Sequence, residues 1–279
     1  MLSSFFSRKE LVGLDIGSGA LKLVQLKRLK QGYRLQKFGV LPIDPELIVD
    51  GAIMDAGQVV SALRELIAKE APRTKNVALS VSGHSVIVKK INLPLMTEEE
   101  LQESIKWEAE QYIPFDINDV NIDAHILQTQ DTSRDEGQMP VLLVAVKKDK
   151  LMEYTHLVRE AGLNPVIGDV DVFALENMYA ENYDVKEGET VALVNIGASM
   201  MNVNILKGGV FSFTRDISTG GKQYNEAIQR EMDLSFDQAE RAKRAETVEG
   251  VDENQVNDIV RRLNTDLVGE VIRSFDYFR

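Results

Sequence analysis

The feature that most constrains the fold is a pattern that occurs twice: a short apolar strand ending on a polar residue, a turn of small residues, and a returning strand. In the first half it reads Gly13-Leu14-Asp15-Ile16-Gly17-Ser18-Gly19-Ala20-Leu21-Lys22. In the second it reads Val191-Ala192-Leu193-Val194-Asn195-Ile196-Gly197-Ala198-Ser199-Met200-Met201-Asn202. A third strand follows in each half, so the repeat is one of order and spacing, not a single match. The predicted strands lie at 11–16, 21–26 and 33–41, and again at 191–196, 201–206 and 210–214. β-Branched or alternating apolar residues support each of them. Two related α/β lobes are expected.

Between the repeats the pattern predicts a helix at 58–69, with Val59, Leu63, Leu66 and Ile67 on one face, and a strand at 76–81. The composition changes after Gly83. A strand at 86–93 closes on Pro94, and Thr97 with Glu100 forms a capping box for a helix that Ile113-Pro114 ends near 112. Strands at 122–130 and 141–147 flank a polar stretch, 131–139, read as an exposed loop; a helix at 150–161 stops at Gly162. This is a small inserted α/β unit. A helix at 172–181, an acidic turn at 186–189 and the second set of strands follow. Helices at 220–232, at 235–245 and from Glu253 onward complete the chain. The expected division is a first lobe of 1–83 with 167–188, an insertion at 84–166, a second-lobe core at 189–234 and a helical part at 235–279.

Composition narrows the chemistry. A chain of 279 residues with 44% hydrophobic and 27% charged residues suits a soluble globular protein of two domains or one bilobed body. A net charge of −12 disfavours nucleic acid and anionic lipid as partners. The absence of cysteine removes disulfides, thiolate metal sites and cysteine nucleophiles. His84, His125 and His156 lack metal spacing. No apolar run approaches the ~20 residues that cross a bilayer. The opening stretch is too short for a secretion signal and reads first as a frayed terminus, with contact to a membrane surface through Leu2, Phe5 and Phe6 as the alternative. A cytoplasmic location is expected.

The repeated turns carry the chemistry. Asp15 ends a buried strand just before Gly17-Ser18-Gly19, whose backbone N–H groups can approach phosphate oxygens closely. Ser18 adds a hydroxyl and Lys22 a positive charge. Asp15 would repel phosphate directly, so its natural partner is hydrated Mg²⁺. Two other nucleotide loops are excluded. Gly17-x-Gly19 lacks the third glycine of the dinucleotide fingerprint, where Lys22 stands. Gly221-Lys222 has Asp216 and Gln223 at the positions where a Walker loop needs glycine and Ser or Thr. Asn195, Gly197, Ala198 and Ser199 form the second turn, and two such hairpins facing across a cleft can clamp a polyphosphate and its metal.

This arrangement resembles the actin, sugar kinase and heat-shock chaperone superfamily, whose hairpins are called phosphate 1 and phosphate 2. The helix opening Asp171-Val172-Phe173-Ala174-Leu175-Glu176 is similar to the one between them, which implies that Asp171 positions the attacking water. Gly220-Gly221 and Ala239-Glu240-Arg241-Ala242-Lys243 resemble the cell-division protein FtsA, which implies that Glu240 and Lys243 lie along ribose and base. The plain alternative for that pair is an i,i+3 ion pair of at most ~0.5 kcal/mol.

The insertion is the most specific part. Ile91-Asn92-Leu93-Pro94-Leu95-Met96-Thr97 and Ile105-Lys106-Trp107-Glu108-Ala109-Glu110-Gln111-Tyr112-Ile113-Pro114-Phe115 resemble the PilM family of type IV pilus assembly proteins. The resemblance implies an α/β, actin-like ATPase fold of duplicated lobes with an FtsA-type inserted subdomain. It further implies a cytoplasmic adaptor, peripheral to the inner membrane and homo-oligomeric in the assembled machine, that binds ATP or ADP with Mg²⁺. Its partner would be the N-terminal cytoplasmic peptide of PilN, held in a groove between the first subdomain and the insertion. It would link the inner-membrane complex to the other pilus and motor components for twitching motility.

Three departures temper the nucleotide chemistry. Asn195 replaces the superfamily's second aspartate, Ala198-Ser199-Met200 replaces a glycine-threonine turn, and no adenosine-holding glycine loop follows Leu206. A shortened chain and at most a weak ATPase are expected. The alternatives are a small-molecule kinase of the same fold and an FtsA-like filament former.

Overall fold

The computed structural model describes residues 10–49, 51–127, 137–184, 186 and 188–278. Leu2, Phe5 and Phe6, most of the 131–139 loop and the far end of the strand expected at 122–130 lie outside the described residues.

The chain opens with β1 (Val12–Ile16), β2 (Ala20–Arg28) and β3 (Tyr33–Pro42), then a short hairpin, β4 (Ile48–Val49) with β5 (Ala52–Ile53). Helix α1 (Ala56–Glu70) is capped by the Asp55 side chain, which accepts from the Gln58 N–H, and buries Val59, Val60, Leu63 and Leu66. Strand β6 (Asn76–Val81) runs parallel to β1. Alternation decides what β1 presents: Val12, Leu14 and Ile16 enter the core, while Gly13 and Asp15 face outward.

The insertion holds β7 (Val86–Pro94), α2 (Glu98–Ala109), β8 (Val120–Ile126) and β9 (Gln138–Lys147), with sheet order β7-β9-β8. The Thr97–Glu100 capping box forms as the sequence predicts. The loop is shorter than expected, because Gln138 and Met139 already pair with Pro94 and Leu93 and Met139 is buried.

The boundary of the insertion is corrected. Helix α3 (Lys148–Glu160) places Tyr154, Leu157 and Val158 in the first-lobe core with Leu21, Leu23, Leu63 and Val77. Strand β10 (Asn164–Val170), absent from the sequence reading, joins β6 in parallel, giving the first-lobe order β10-β6-β1-β2-β3. The inserted unit therefore closes with β9, not at 166, because the apolar stripe of α3 is buried against the lobe.

Helix α4 (Asp171–Asn182) leads into the second lobe, whose sheet is β11 (Thr190–Ile196), β12 (Met201–Lys207) and β13 (Val210–Ile217) in that order. Helices α5 (Gly221–Met232), α6 (Phe236–Lys243) and α7 (Glu253–Phe278) follow. One end of α7 packs with α5 and α6 through Val256 and Ile259; the other packs on the sheet through Leu267, against Met201, Val203 and Ile205.

Candidate functional site

The two hairpins meet tip to tip. Ser18 Oγ and Ser199 Oγ lie 2.6 Å apart. A Cβ built on Gly19 would stand 2.9 Å from the Ala198 Cβ, so only glycine permits this approach. The backbone bond that closes the first turn, Gly17 N–H to the Ala20 carbonyl, spans 3.3 Å; its counterpart, Gly197 N–H to the Met200 carbonyl, spans 2.8 Å.

Antiparallel register puts Lys22 directly opposite Asp15, and its ammonium donates to the carboxylate at 2.8 Å. Both side chains are about half exposed, at 51% and 53%. The cation expected at phosphate thus pairs with the carboxylate expected at the metal, and each screens the other until a ligand competes.

Asp171 is the first residue of α4. Burial pushes its carboxyl above the usual carboxylate range, and the charges of Asp15 and Asp216 push the same way; hydrogen bonds from Ser80 and Ser82 oppose this. The Ser80 hydroxyl donates to Asp171 Oδ1 at 2.5 Å. These influences place Asp15 and Asp216 within electrostatic reach of Asp171.

In the second lobe the candidates form a continuous row. Gly220 sits against the turn so closely that a Cβ there would fall 2.6 Å from the carbonyl oxygens of both Gly197 and Ala198. The first amides of α5 face the same turn: Gly221 N–H donates to Gly197 O at 2.9 Å and Lys222 N–H to Ala198 O at 2.7 Å. The Lys243 ammonium reaches Gly221 O at 3.4 Å and Glu240 at 2.5 Å. Glu240 also accepts from Asn225 and Arg244. Although burial raises the Glu240 carboxyl, hydrogen bonds from Lys243 and Asn225 hold it below the usual range. The i,i+3 ion pair is therefore present.

Asn195 does not stand alone. Its Nδ2 donates to Asn202 Oδ1 at 3.0 Å, and Asn202 Nδ2 donates to Asp216 Oδ1 at 2.8 Å. The other Asp216 oxygen accepts the Gly83 N–H at 2.7 Å, tying β13 to the start of the insertion. Asp216 was missed as a site residue. The sequence offered only an acid near a strand end; its place depends on register.

Beside this link a groove of about 360 Å³ runs between the first lobe and the insertion. Val86, Val88, Phe115, Val170 and Val172 make it apolar, and Asp216 stands in its wall. The Lys147 ammonium lies 4.4 Å from the centre of the Phe115 ring.

Duplicated lobes whose small-residue turns meet across a cleft define the actin-like class. The solved EutJ of Carboxydothermus hydrogenoformans shares this fold, with a TM-score of 0.55 at 16% identity over 97% of this chain and 74% of that one. AMPPNP-bound MreB5 of Spiroplasma citri shares it too, with a TM-score of 0.50 at 12% identity over 97% and 79%. Within that class the chain belongs to the family of the type IV pilus assembly protein PilM, whose model matches residues 13–279. A solved PilM–PilN type IV pilus biogenesis complex is 29% identical, with a TM-score of 0.81, covering 98% of this chain and 78% of that one. Its work is in type IV pilus assembly.

Proposed function

We propose that the chain is a nucleotide-binding adaptor of the pilus machine that holds the N-terminal cytoplasmic peptide of PilN. The observation that carries this reading is the apolar groove at Val88, Phe115 and Val172, which opens where the insertion leaves the first lobe and has Asp216 of the second lobe in its wall. An extended apolar peptide would bury its side chains there, and it would touch an element that also faces the nucleotide cleft. The solved PilM–PilN complex supports the choice of partner.

In the cleft, Gly17, Ser18 and Gly19 would hold phosphate from one side and Gly197, Ala198 and Ser199 from the other. The 2.6 Å contact between the Ser18 and Ser199 hydroxyls must open to admit the ligand, freeing both to donate to it. Lys22 would turn from Asp15 to phosphate. Gly220 and Gly221 would support the second turn, and Glu240 and Lys243 would border ribose and base. The likeness to AMPPNP-bound MreB5 supports a nucleotide as the ligand class.

The donor set fits hydrated Mg²⁺. Oxygen donors suit this hard ion, and half-exposed Asp15 leaves room for intervening water. Among the described residues no three His, Cys, Asp or Glu side chains gather for direct ligation. Asp15 and Asn195 would hold the ion through its waters, and when bound it would neutralise phosphate charge. Asp171, whose carboxyl burial pushes above the usual carboxylate range, already accepts from the Ser80 hydroxyl; it would position water, and turnover would be slow. Among the described residues no helix is long and apolar enough to cross a membrane. Membrane association would come through PilN, at the cytoplasmic face of the inner membrane, with further copies and motor components recruited there.

The test titrates a fluorescent ATP analogue and a PilN N-terminal peptide in parallel. Asp15→Ala is expected to lose nucleotide and keep peptide, and Val88→Glu the reverse. A wild-type chain that binds no peptide under any nucleotide condition would remove the adaptor reading.

A further inference from the structure

The replacement of the second cleft aspartate by Asn195 looks like the loss of a charge. The geometry points instead to relocation: we infer that Asp216 is a positioning residue which, through Asn202, presents the amide oxygen of Asn195 to the cleft as an oxygen donor for a hydrated divalent cation. This rests on the nucleotide reading above and assigns the metal side of that site.

The argument is one of donors and acceptors. Asn195, Asn202 and Asp216 occupy directly opposed positions on three neighbouring strands, Asn195 against Asn202 and Asn202 against Asp216. A primary amide has a donating and an accepting end and can sit either way round, but a carboxylate only accepts. Asn202, 2% exposed, must therefore turn its NH₂ toward Asp216. Its oxygen is then left facing Asn195, which must answer with its own NH₂. One atom remains at the end of the row, Asn195 Oδ1, and it takes no hydrogen bond among the described residues. With an amide in place of Asp216, the Gly83 N–H would hold its oxygen, its NH₂ would face Asn202, and the reversed row would aim the NH₂ of Asn195 at the cation.

The Gly83 N–H fixes the far end. It donates to the second Asp216 oxygen at 2.7 Å, so both carboxylate oxygens are engaged and the acid cannot rotate away. The negative charge two strands behind polarises the amides between, which makes the Asn195 oxygen a stronger acceptor than an isolated asparagine. The arrangement matches the way outer partners orient metal ligands elsewhere.

The test reads a ratio: the affinity of a fluorescent ATP analogue in Mg²⁺ divided by its affinity in excess EDTA. Wild type is expected to show a clear Mg²⁺ enhancement. Asp216→Asn should cut that ratio by roughly 10-fold, the usual effect of losing an outer partner. Restoring a carboxylate at the cleft in the double variant Asn195→Asp with Asp216→Asn should recover it. Asn202→Leu, which leaves Asp216 and its Gly83 bond in place, should give the same loss and keeps the test open if Asp216→Asn folds poorly. A merely structural role would lower both affinities and leave the ratio unchanged, which overturns the inference, as would failure of the double variant to recover the ratio. Equal wild-type affinity with and without Mg²⁺ also overturns it while leaving the nucleotide reading intact. A wild type that binds in neither condition removes the nucleotide reading and this inference together.

Discussion

The two hairpins share a backbone plan and differ in where they keep their charge. In the first, Asp15 faces Lys22 across the strands and both stand half in water. In the second, the matching cross-strand pair is Asn195 with Asn202, and the acid has moved back to Asp216. An exposed ion pair is worth ~0–1 kcal/mol, so the first hairpin can give its groups to a ligand at little cost. The second is embedded in a buried network, and rearranging it would leave polar groups without partners. Duplication thus preserved the turn and divided the labour: one mobile grip and one fixed wall.

That contrast can be broken in order of expected effect. Replacing Ser18 and Ser199 by cysteine and oxidising the pair should weld the tips, abolishing binding of the ATP analogue; reduction should restore it. Binding that persists in the welded form would show that the cleft admits its ligand elsewhere. Gly220→Ala comes next, because its Cβ meets backbone at 2.6 Å; the loss should be about 3 kcal/mol, read from urea unfolding. The first hairpin is more forgiving: the Cβ of Gly17→Ala would lie 3.2 Å from the Ala20 carbonyl, and about 1 kcal/mol is expected.

Asp171→Asn should stabilise the chain at pH 7 by roughly 1–2 kcal/mol, since it removes a carboxylate that burial disfavours. The sign follows from the raised carboxyl. The wild-type cost is absent while Asp171 is protonated in both states, and it grows as pH rises from the ordinary carboxylate range through the higher folded-state value. The advantage of the variant should therefore fade on acidification, as thermal midpoints across that range would show. The smallest effect belongs to Lys22→Met, which should move unfolding by no more than about 0.5 kcal/mol while weakening nucleotide binding.

Much of the frame was legible because its signals are local. Glycine turns, the Thr97–Glu100 box and the apolar face of α1 depend on residues within a few positions of one another. Strand β10 was not, because Asn164-Pro165 and Gly168 interrupt any alternation and its extended form is enforced by pairing with β6, far off in sequence. The stripe on α3 announced a buried helix without saying which core would take it. Asp216 was hidden by a register shift. Counting back from the Gly208-Gly209 turn sets Arg215 opposite Asn202, but an irregularity between Ile205 and Leu206 advances the partner strand by one and brings Asp216 there instead. A one-residue slip changes which face a side chain occupies, and here it selects an acid over a base.

Helix α7 has a mechanical consequence of its own. Its 26 residues make a rod of ~39 Å whose two ends are set in different apolar clusters, one with α5 and α6 and one on the sheet. Such a beam ties helices and sheet into one stiff body. Opening of the molecule would have to part the bonds that cross the seam, among them Ser18 with Ser199, Gly83 with Asp216 and the Asn204 amide with the Val172 carbonyl.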